Sequence, residues 1–467
     1  MKILLIEPDY KNKYPPLGLM KISTFHKQRG DEVVFCKGNN KELKQIVWDR
    51  IYISTLFTFY WNKVIKTIEY YYKSVKTSKN IFLGGVMATL KKEELQKCFD
   101  ITVVSGLLNE KGKIRIENDY KIDSLVPDYS IINQHENEFL NYKYPIDNAY
   151  FVYSTRGCIR KCEFCAVPII EGGFKNGVSI LKQVNDVKET FGERKDLLFL
   201  DNNILASNDF EKIINEIKQI GYEKGAKYSY MKNNKKSYKL KYVDFNQGID
   251  ARLLTKNKIK LLSEIAVSPL RIAFDDIKFQ KVYIEKVRLA ADFNIPILSN
   301  YILFNFKDTP QDFYQRLKIN IRLNTEFESK KFKTKIWSFP MKFSPIFGDE
   351  SKNRKYIGKN WNKKYLRGIQ CILLATHGVV GPKKLFFEAA FGKSYNEFEN
   401  ILMLPEKYII NRKEYRTESQ NLLNKISTLL PKQKKVLMDF LKKNEFRNIN
   451  KKSFDLEIYE ILKHYEV

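Results

Sequence analysis

Short apolar runs, each closed by glycine or polar residues, recur along the first 130 residues and alternate with stretches of helical spacing. Lys2-Ile3-Leu4-Leu5-Ile6, Val33-Val34-Phe35, Ile51-Tyr52-Ile53-Ser54, Asn80-Ile81-Phe82-Leu83-Gly84-Gly85 and Ile101-Thr102-Val103-Val104-Ser105-Gly106 are the runs. Continuous short apolar runs suit strands buried on both faces of a parallel sheet. After the first, Pro15-Pro16-Leu17-Gly18 predicts a loop and then a helix of about a dozen residues closed by Gly30; another helical stretch follows the third run and reaches about Val75. Strand and helix in alternation predict a doubly wound α/β sheet, which binds ligands in the crevice beyond its strand ends.

A second repeat occupies residues 148–340. Tyr150-Phe151-Val152-Tyr153 predicts its first strand, and a helix over Ser179–Phe191 follows. Further strands are predicted at Asp196–Asn203, ending in three polar residues, and at Tyr242–Gln247, Arg271–Asp276, Pro296–Phe304 and Ile336–Pro340, with helical spacing over Thr255–Leu262. The stretch from Tyr222 to Lys241 is rich in Lys, Asn and Tyr and poor in aliphatics, which predicts a solvent-exposed insertion. The predicted layout is therefore a first domain over 1–130, a linker over 131–147, a second domain over 148–340 with an insertion at 222–241, and a basic, mostly helical region over 341–467.

The first strand of the second repeat runs through Ser154-Thr155-Arg156-Gly157 into Cys158-Ile159-Arg160-Lys161-Cys162-Glu163-Phe164-Cys165. Three thiols within eight residues restrict the chemistry. A closed zinc site wants four ligands, commonly as two C-x-x-C pairs. Here Cys36, Cys98 and Cys371 are isolated. A disulfide framework does not suit three clustered thiols in a long chain. Iron–sulfur clusters take thiolates, and three of them leave one iron of a [4Fe-4S] cube open for a substrate or cofactor.

The spacing C-x3-C-x2-C, the Phe before the third Cys and the preceding strand resemble the signature of the radical S-adenosylmethionine (SAM) superfamily. The six strands are similar to its partial (β/α)6 barrel. Pro15-Pro16-Leu17-Gly18-Leu19, Gly30-Asp31-Glu32-Val33, Ser54-Thr55-Leu56 and Gly84-Gly85 resemble the cobalamin (B12)-binding-like domain that precedes the barrel in one class, and Val126-Pro127-Asp128-Tyr129 resembles its linker. The resemblance implies a Rossmann-like N-terminal domain, a radical SAM barrel and a helical C-terminal region. It implies that Cys158, Cys162 and Cys165 hold a [4Fe-4S] cluster, that its open iron binds SAM, and that SAM is cleaved to a 5′-deoxyadenosyl radical. Phe164 would pack beside the cluster. Asp201, Asn202 and Asn203 fall where the family contacts the SAM amino group, and Asp275 and Asp276 where it contacts the ribose. Asn246, Gln247, Asp250 and Arg252 near the third strand, and Ser299 and Asn300 in the fifth, are further polar candidates, because reactive groups of parallel barrels gather at the C-terminal strand ends. Asp308-Thr309 is read as a turn. The implied partners are a reductant such as flavodoxin or ferredoxin and an unidentified substrate, with methylation or modification of RNA, nucleotides or natural products as the variants.

One departure bears on the cofactors. That class carries the lower cobalt ligand in a D-x-H-x-x-G loop after the first strand, and the loop from Asp9 to Tyr14 has no His. His26 lies within the following helix, where a packing role is the ordinary one, so the first domain reads as degenerate and cobalamin as doubtful. Cys36 and Cys98 do not form the N-terminal three-cysteine set of tRNA methylthiotransferases and read as buried, inert thiols.

The whole chain has 467 residues, 82 Lys+Arg against 54 Asp+Glu and a net charge of +28. Such an excess suits nucleic acid, although a Lys-, Asn- and Ile-rich composition is also what an AT-rich genome produces. Ser351 to Arg367 is basic, without an acidic residue, and interleaved with Tyr356, Trp361 and Tyr365; it is either a nucleic-acid contact or a crossover packing its aromatics. No signal peptide and no membrane span are read, so a cytoplasmic protein is expected. The alternative reading, from a different class, is an iron–sulfur binding or sensing protein that contacts nucleic acid without turning SAM over.

Overall fold

The computed structural model describes residues 1–447, 449 and 451–466. The chain divides into two compact units, Met1–Ser268 with Ser344–Tyr356, and Pro269–Phe343 with Ile357–Val467.

In the first unit, β1 (Lys2–Glu7), β2 (Glu32–Lys37), β3 (Arg50–Thr55), β4 (Ile81–Gly85) and β5 (Thr102–Val103) form a parallel sheet in the order β2-β1-β3-β4-β5. All five expected strands are present, within a few residues at their ends. Ile3 to Ile6 are completely buried, because helices cover both faces and each side chain of β1 meets apolar surface whichever way it points. Leu4 pairs with Val34 on one side and Ile51 on the other, so the strand order reverses about β1. The helix Leu17–Gln28 buries Leu19, Met20, Ile22, Ser23, Phe25 and His26, and Gly30 follows it at φ 76°.

The same unit holds a second, three-stranded parallel sheet. It is built from β6 (Ala149–Val152), β9 (Asp196–Phe199) and β12 (Val243–Phe245), with β9 central. Between β6 and β9 lies a small antiparallel pair, β7 (Thr155–Arg156) with β8 (Lys175–Asn176), which brackets the cysteine segment. The insertion is more ordered than its composition suggested. It forms an antiparallel hairpin, β10 (Lys227–Lys232) with β11 (Lys235–Leu240). Asn233 and Asn234 turn it at φ 49° and 58°, the left-handed pair that a two-residue type I′ turn requires. Its expected limits, Tyr222 and Lys241, are not exposed: both are buried, and Lys241 Nζ pairs with Glu193 at 2.7 Å.

The second unit carries β13 (Leu270–Arg271), β14 (Ile297–Phe304) and β15 (Lys335–Lys342), parallel with β14 central. The expected strand over Arg271–Asp276 is cut short. Ile272 N still bonds Ser299 O at 2.9 Å, but the carbonyls of Phe274 and Asp275 accept from the buried Arg316 guanidinium at 3.3 and 3.0 Å instead of from a neighbouring strand. Thr309 caps the helix Pro310–Ser329 through a reciprocal bond with Asp312. That helix packs Phe313, Tyr314 and Leu317 into an aromatic-rich core shared with Ile369, Phe398 and Leu402 of the helical region.

Part of the basic stretch 351–367 is engaged in packing, while Lys355 and Lys359 are exposed. Lys352 pairs with Glu94 at 2.6 Å, and Arg354 lies 4.1 Å over the Phe59 ring in the first unit. In the second, Trp361 is buried, Lys364 is fully buried with Nζ 2.6 Å from Leu404 O, and Arg367 pairs with Glu406. Burial pushes the Lys364 amine down to about 8. Among the described residues no helix is long and apolar enough to cross a membrane.

Candidate active site

The cysteine segment is held at its root by the end of β9. Ser154 donates to the Asp201 carboxylate from its amide, at 3.1 and 3.0 Å to the two oxygens, and from Oγ at 2.6 Å. Thr155 donates from its amide at 2.5 Å and from Oγ1 at 2.7 Å. Asp201 is 4% exposed. Burial raises its carboxyl above the usual carboxylate range against the pull of these donors. β6 and β9 are neighbours, with Val152 opposite Phe199, so the two strand ends meet where the loop begins.

A second carboxylate clamps the next residues. Glu171 Oε2 accepts from Gly157 N at 2.6 Å and from Asn202 Nδ2 at 2.9 Å. Arg156 lies between Asp123, at 2.9 Å, and Glu171, at 3.5 Å, with its guanidinium 3.4 Å from the Tyr153 ring centre. Gly157 is required here: it sits at φ 71°, and a Cβ would lie 2.3 Å from Gly173 O. Asp123, Tyr153, Arg156 and Glu171 also line a cavity of about 760 Å³ in the first unit, with Lys21 and Ile170.

Cys158, Cys162 and Cys165 are all of intermediate exposure. Cys165 N closes a turn onto Cys162 O at 3.0 Å. Cys158 Sγ accepts from Arg160 N at 3.3 Å and faces Asn203 Nδ2 at 3.5 Å. Among the described residues no three His, Cys, Asp or Glu side chains converge closely enough to hold a single ion. Asn203 is buried, and its Oδ1 has no hydrogen-bond partner. An orphaned buried carbonyl costs about 1–3 kcal/mol, so a donor from a ligand beside Cys158 would be met there. Phe164 is half-buried on the loop.

The end of β12 reaches the same loop. Arg160 Nε pairs with Asp250 at 3.0 Å, and Asp250 also receives Arg252 at 2.7 and 2.9 Å. Burial alone would push Asp250 up, but the two guanidiniums and the Arg252 amide hold it below the usual range. Asn246 Oδ1 accepts from Tyr14 OH at 2.6 Å, so the loop after β1 meets the end of β12. Gln247 is exposed.

The structure thus divides what the sequence grouped. Asp201 belongs to the root of the loop, with its oxygens taken by Ser154 and Thr155. Asn202 bonds Glu171, and Asn203 alone presents a free acceptor. Asp275, Asp276 and Ser299 lie in the other unit. There Asp276 caps Lys278 N at 2.9 Å, and Ser299 Oγ accepts from Arg271 at 3.5 Å. Asn300 does not share the face of Ser299, because adjacent strand residues point to opposite sides. Its Nδ2 donates to Tyr283 OH at 2.6 Å, and a buried chain continues to Asn320 and Ser338. Asp308 is more than a turn residue: it pairs at 2.8 Å with Arg316, which is 0% exposed. Sequence patterns did not single out Glu171, Asp123 or Arg316. The only local hint was a carboxylate directly before Gly172-Gly173. An Arg316→Lys variant keeps the charge but loses the fork that serves Asp308 and two carbonyls at once. It is expected to lose about 1–2 kcal/mol of stability, read as a lower urea midpoint.

At the end of β1 the chain fills its own crevice. Glu7 pairs with Lys37 at 2.6 Å, accepts from Tyr144 OH and receives Asn12 Nδ2 at 3.2 Å. Tyr10 stacks on Tyr60 at 4.7 Å. His26 is completely buried with both nitrogens engaged, at 2.7 Å from Asp31 and 3.0 Å from Tyr52 OH, so it is a packing residue. These residues do not offer an imidazole to a cobalt ion. Cys36 is buried as expected, whereas Cys98 is exposed, because it ends the helix Lys92–Cys98 on its solvent side.

No protein-family model matches the chain, and no curated protein matches it. Solved structures do. The cobalamin-dependent S-adenosylmethionine radical enzyme OxsB, with aqua-cobalamin and S-adenosylmethionine bound, is similar over 99% of this chain and 78% of its own, at 12% identity and a TM-score of 0.52. The radical S-adenosylmethionine methyltransferase TsrM from Kitasatospora setae, with cobalamin and a [4Fe-4S] cluster bound, is similar over 79% of this chain and 75% of its own, at 12% identity and a TM-score of 0.48. At this level of identity it is the architecture that is shared: the chain has the fold of a cobalamin-dependent radical S-adenosylmethionine enzyme.

Proposed function

We propose that the chain is a radical SAM enzyme acting on a substrate yet to be identified. The observation that carries this reading is the buried, unpartnered Asn203 Oδ1 beside Cys158, against a three-cysteine loop rooted in Asp201 and Glu171. Cys158, Cys162 and Cys165 would hold a [4Fe-4S] cluster; three thiols on one loop, with two N–H groups aimed at the Cys158 sulfur, fit that group. Bound there and reduced by a flavodoxin or ferredoxin, the cluster would pass one electron to the SAM sulfonium, breaking a sulfur–carbon bond to give methionine and a 5′-deoxyadenosyl radical. Asn203 Oδ1 would accept from the SAM amino group, and Phe164 would exclude water from one side of the site. Asp250 would hold the Arg160 arm of the loop in place. Cobalamin finds no histidine at the end of β1, so methyl transfer through a histidine-ligated cobalt is not part of the proposal.

Anaerobically reconstituted protein, given dithionite and SAM, is expected to release 5′-deoxyadenosine above the cluster-free control. A protein that takes up four irons and four sulfides per chain but releases none under any reductant would overturn the enzyme reading and leave the iron–sulfur sensing one.

A further inference from the structure

We propose that the hairpin β10–β11 is a docking arm for single-stranded RNA. Between Glu223 and Asp244 there is no acidic residue. Lys224, Lys227, Lys232, Lys235, Lys236 and Lys239 are all exposed, and among the described residues none of the six forms an ion pair. A strip of uncompensated positive charge on one thin element is complementary to a phosphate backbone.

The tyrosines supply what charge alone lacks. Tyr228 and Tyr230 share one face, with ring centres 6.5 Å apart and planes within 9°. Strand geometry sets this spacing, since side chains on one face repeat every second residue. It is close to twice the roughly 3.4 Å rise between nucleotides, so parallel rings at this distance accept one base between them or extend a stack at either end. Lys239 Nζ stands 4.6 Å over the Tyr230 ring. Lys232 and Lys235, paired in register on the same face, continue the charge to the tip. Ser237, opposite Tyr230, offers the donor and acceptor that a ribose 2′-hydroxyl needs, which favours RNA over DNA. On the reverse face Tyr238 is 57% exposed, with Lys236 5.8 Å away. The arm is fixed at its base. Lys241 N bonds Ala226 O at 2.9 Å, and Lys224 N bonds Glu264 O at 2.9 Å. Lysines along a bare strand edge also discourage sheet-to-sheet pairing, a role that would leave the tyrosines without effect on binding.

The test is anisotropy of a fluorescein-labelled oligouridylate titrated with the full-length protein, which needs neither cluster nor turnover, so its outcome is independent of the reading of the cysteine loop. Tyr228→Ala/Tyr230→Ala should weaken binding about tenfold or more without moving the thermal midpoint. Lys232→Ala/Lys235→Ala/Lys236→Ala should flatten the slope of log affinity against log salt by about two. Unchanged affinity in the tyrosine variant would overturn the proposal and leave only the general charge of the chain. Equal affinity for an oligothymidylate would overturn the assignment to RNA. Hairpin-dependent binding to phosphatidylserine vesicles but not to the oligonucleotide would make the arm a membrane contact.

Discussion

A Cys162→Ala variant is expected to lose the visible iron–sulfur absorbance after anaerobic reconstitution, and with it all detectable 5′-deoxyadenosine. Before reconstitution its thermal midpoint should match that of the parent. The two outcomes separate because Cys162 is of intermediate exposure on a loop, where a change of side chain costs within about 0.5 kcal/mol, whereas a cluster deprived of one of three thiolates has no substitute nearby. Cys36 and Cys371 are buried, which pushes their thiols up to about 12 and about 11. Cys98 is exposed on a helix of the first sheet domain. Iron and sulfide content, measured alongside the spectrum, decides the matter; a variant that keeps its full complement of iron would remove Cys162 from the ligand set.

Asp201→Leu should damage both stability and site. The leucine leaves the amides and hydroxyls of Ser154 and Thr155 facing apolar surface, and each unsatisfied buried donor costs about 1–3 kcal/mol. A loss of about 3 kcal/mol or more in denaturant unfolding is expected, with the cluster no longer retained. Asp201→Asn is the informative control. Four of the five contacts converge on Oδ1, whereas Oδ2 receives only one arm of the Ser154 amide bond. An amide can keep the oxygen side and place its NH2 at Oδ2, so this variant should fold and hold the cluster. The pair also carries a pH signature. Burial raises the Asp201 carboxyl, so the folded state binds its proton more tightly than the unfolded chain does. That contribution is present at the acid end and is lost as pH rises from the ordinary carboxylate value through the raised folded one. The asparagine variant does not titrate. Wild type should therefore gain stability relative to the asparagine variant toward acid pH, and a pH-independent difference would refute the shift.

Much of the fold was legible because buried parallel strands are apolar on both faces. Ile3 to Ile6 or Ile51 to Ile53 could be read without knowing which helix covers them. The strand at Arg271 was overread, because Ile272 and Phe274 keep the apolar alternation while the carbonyls of Phe274 and Asp275 turn to Arg316, a residue of a later helix. The basic run at 351–367 shows the opposite limit. Charge and aromatics along the chain were the same for a nucleic-acid contact as for packing, and only the folded chain shows that Lys352, Lys364 and Arg367 are taken by Glu94, the Leu404 carbonyl and Glu406.

By itself, the sequence determined that three thiols share one short loop at the end of a strand, since ligand spacing is a local property that survives any tertiary arrangement. It also placed Asp201, Asn202 and Asn203 at the end of the neighbouring strand. Their separate roles were decided only by tertiary structure. Parallel pairing of β6 with β9 brings Ser154 against Asp201, 47 residues apart, and the direction of each side chain at that junction leaves Asp201 with the loop's amides, Asn202 with Glu171 and Asn203 with an open acceptor beside Cys158. Three adjacent polar residues read alike along a chain; they diverge because in a folded strand end each points into a different environment.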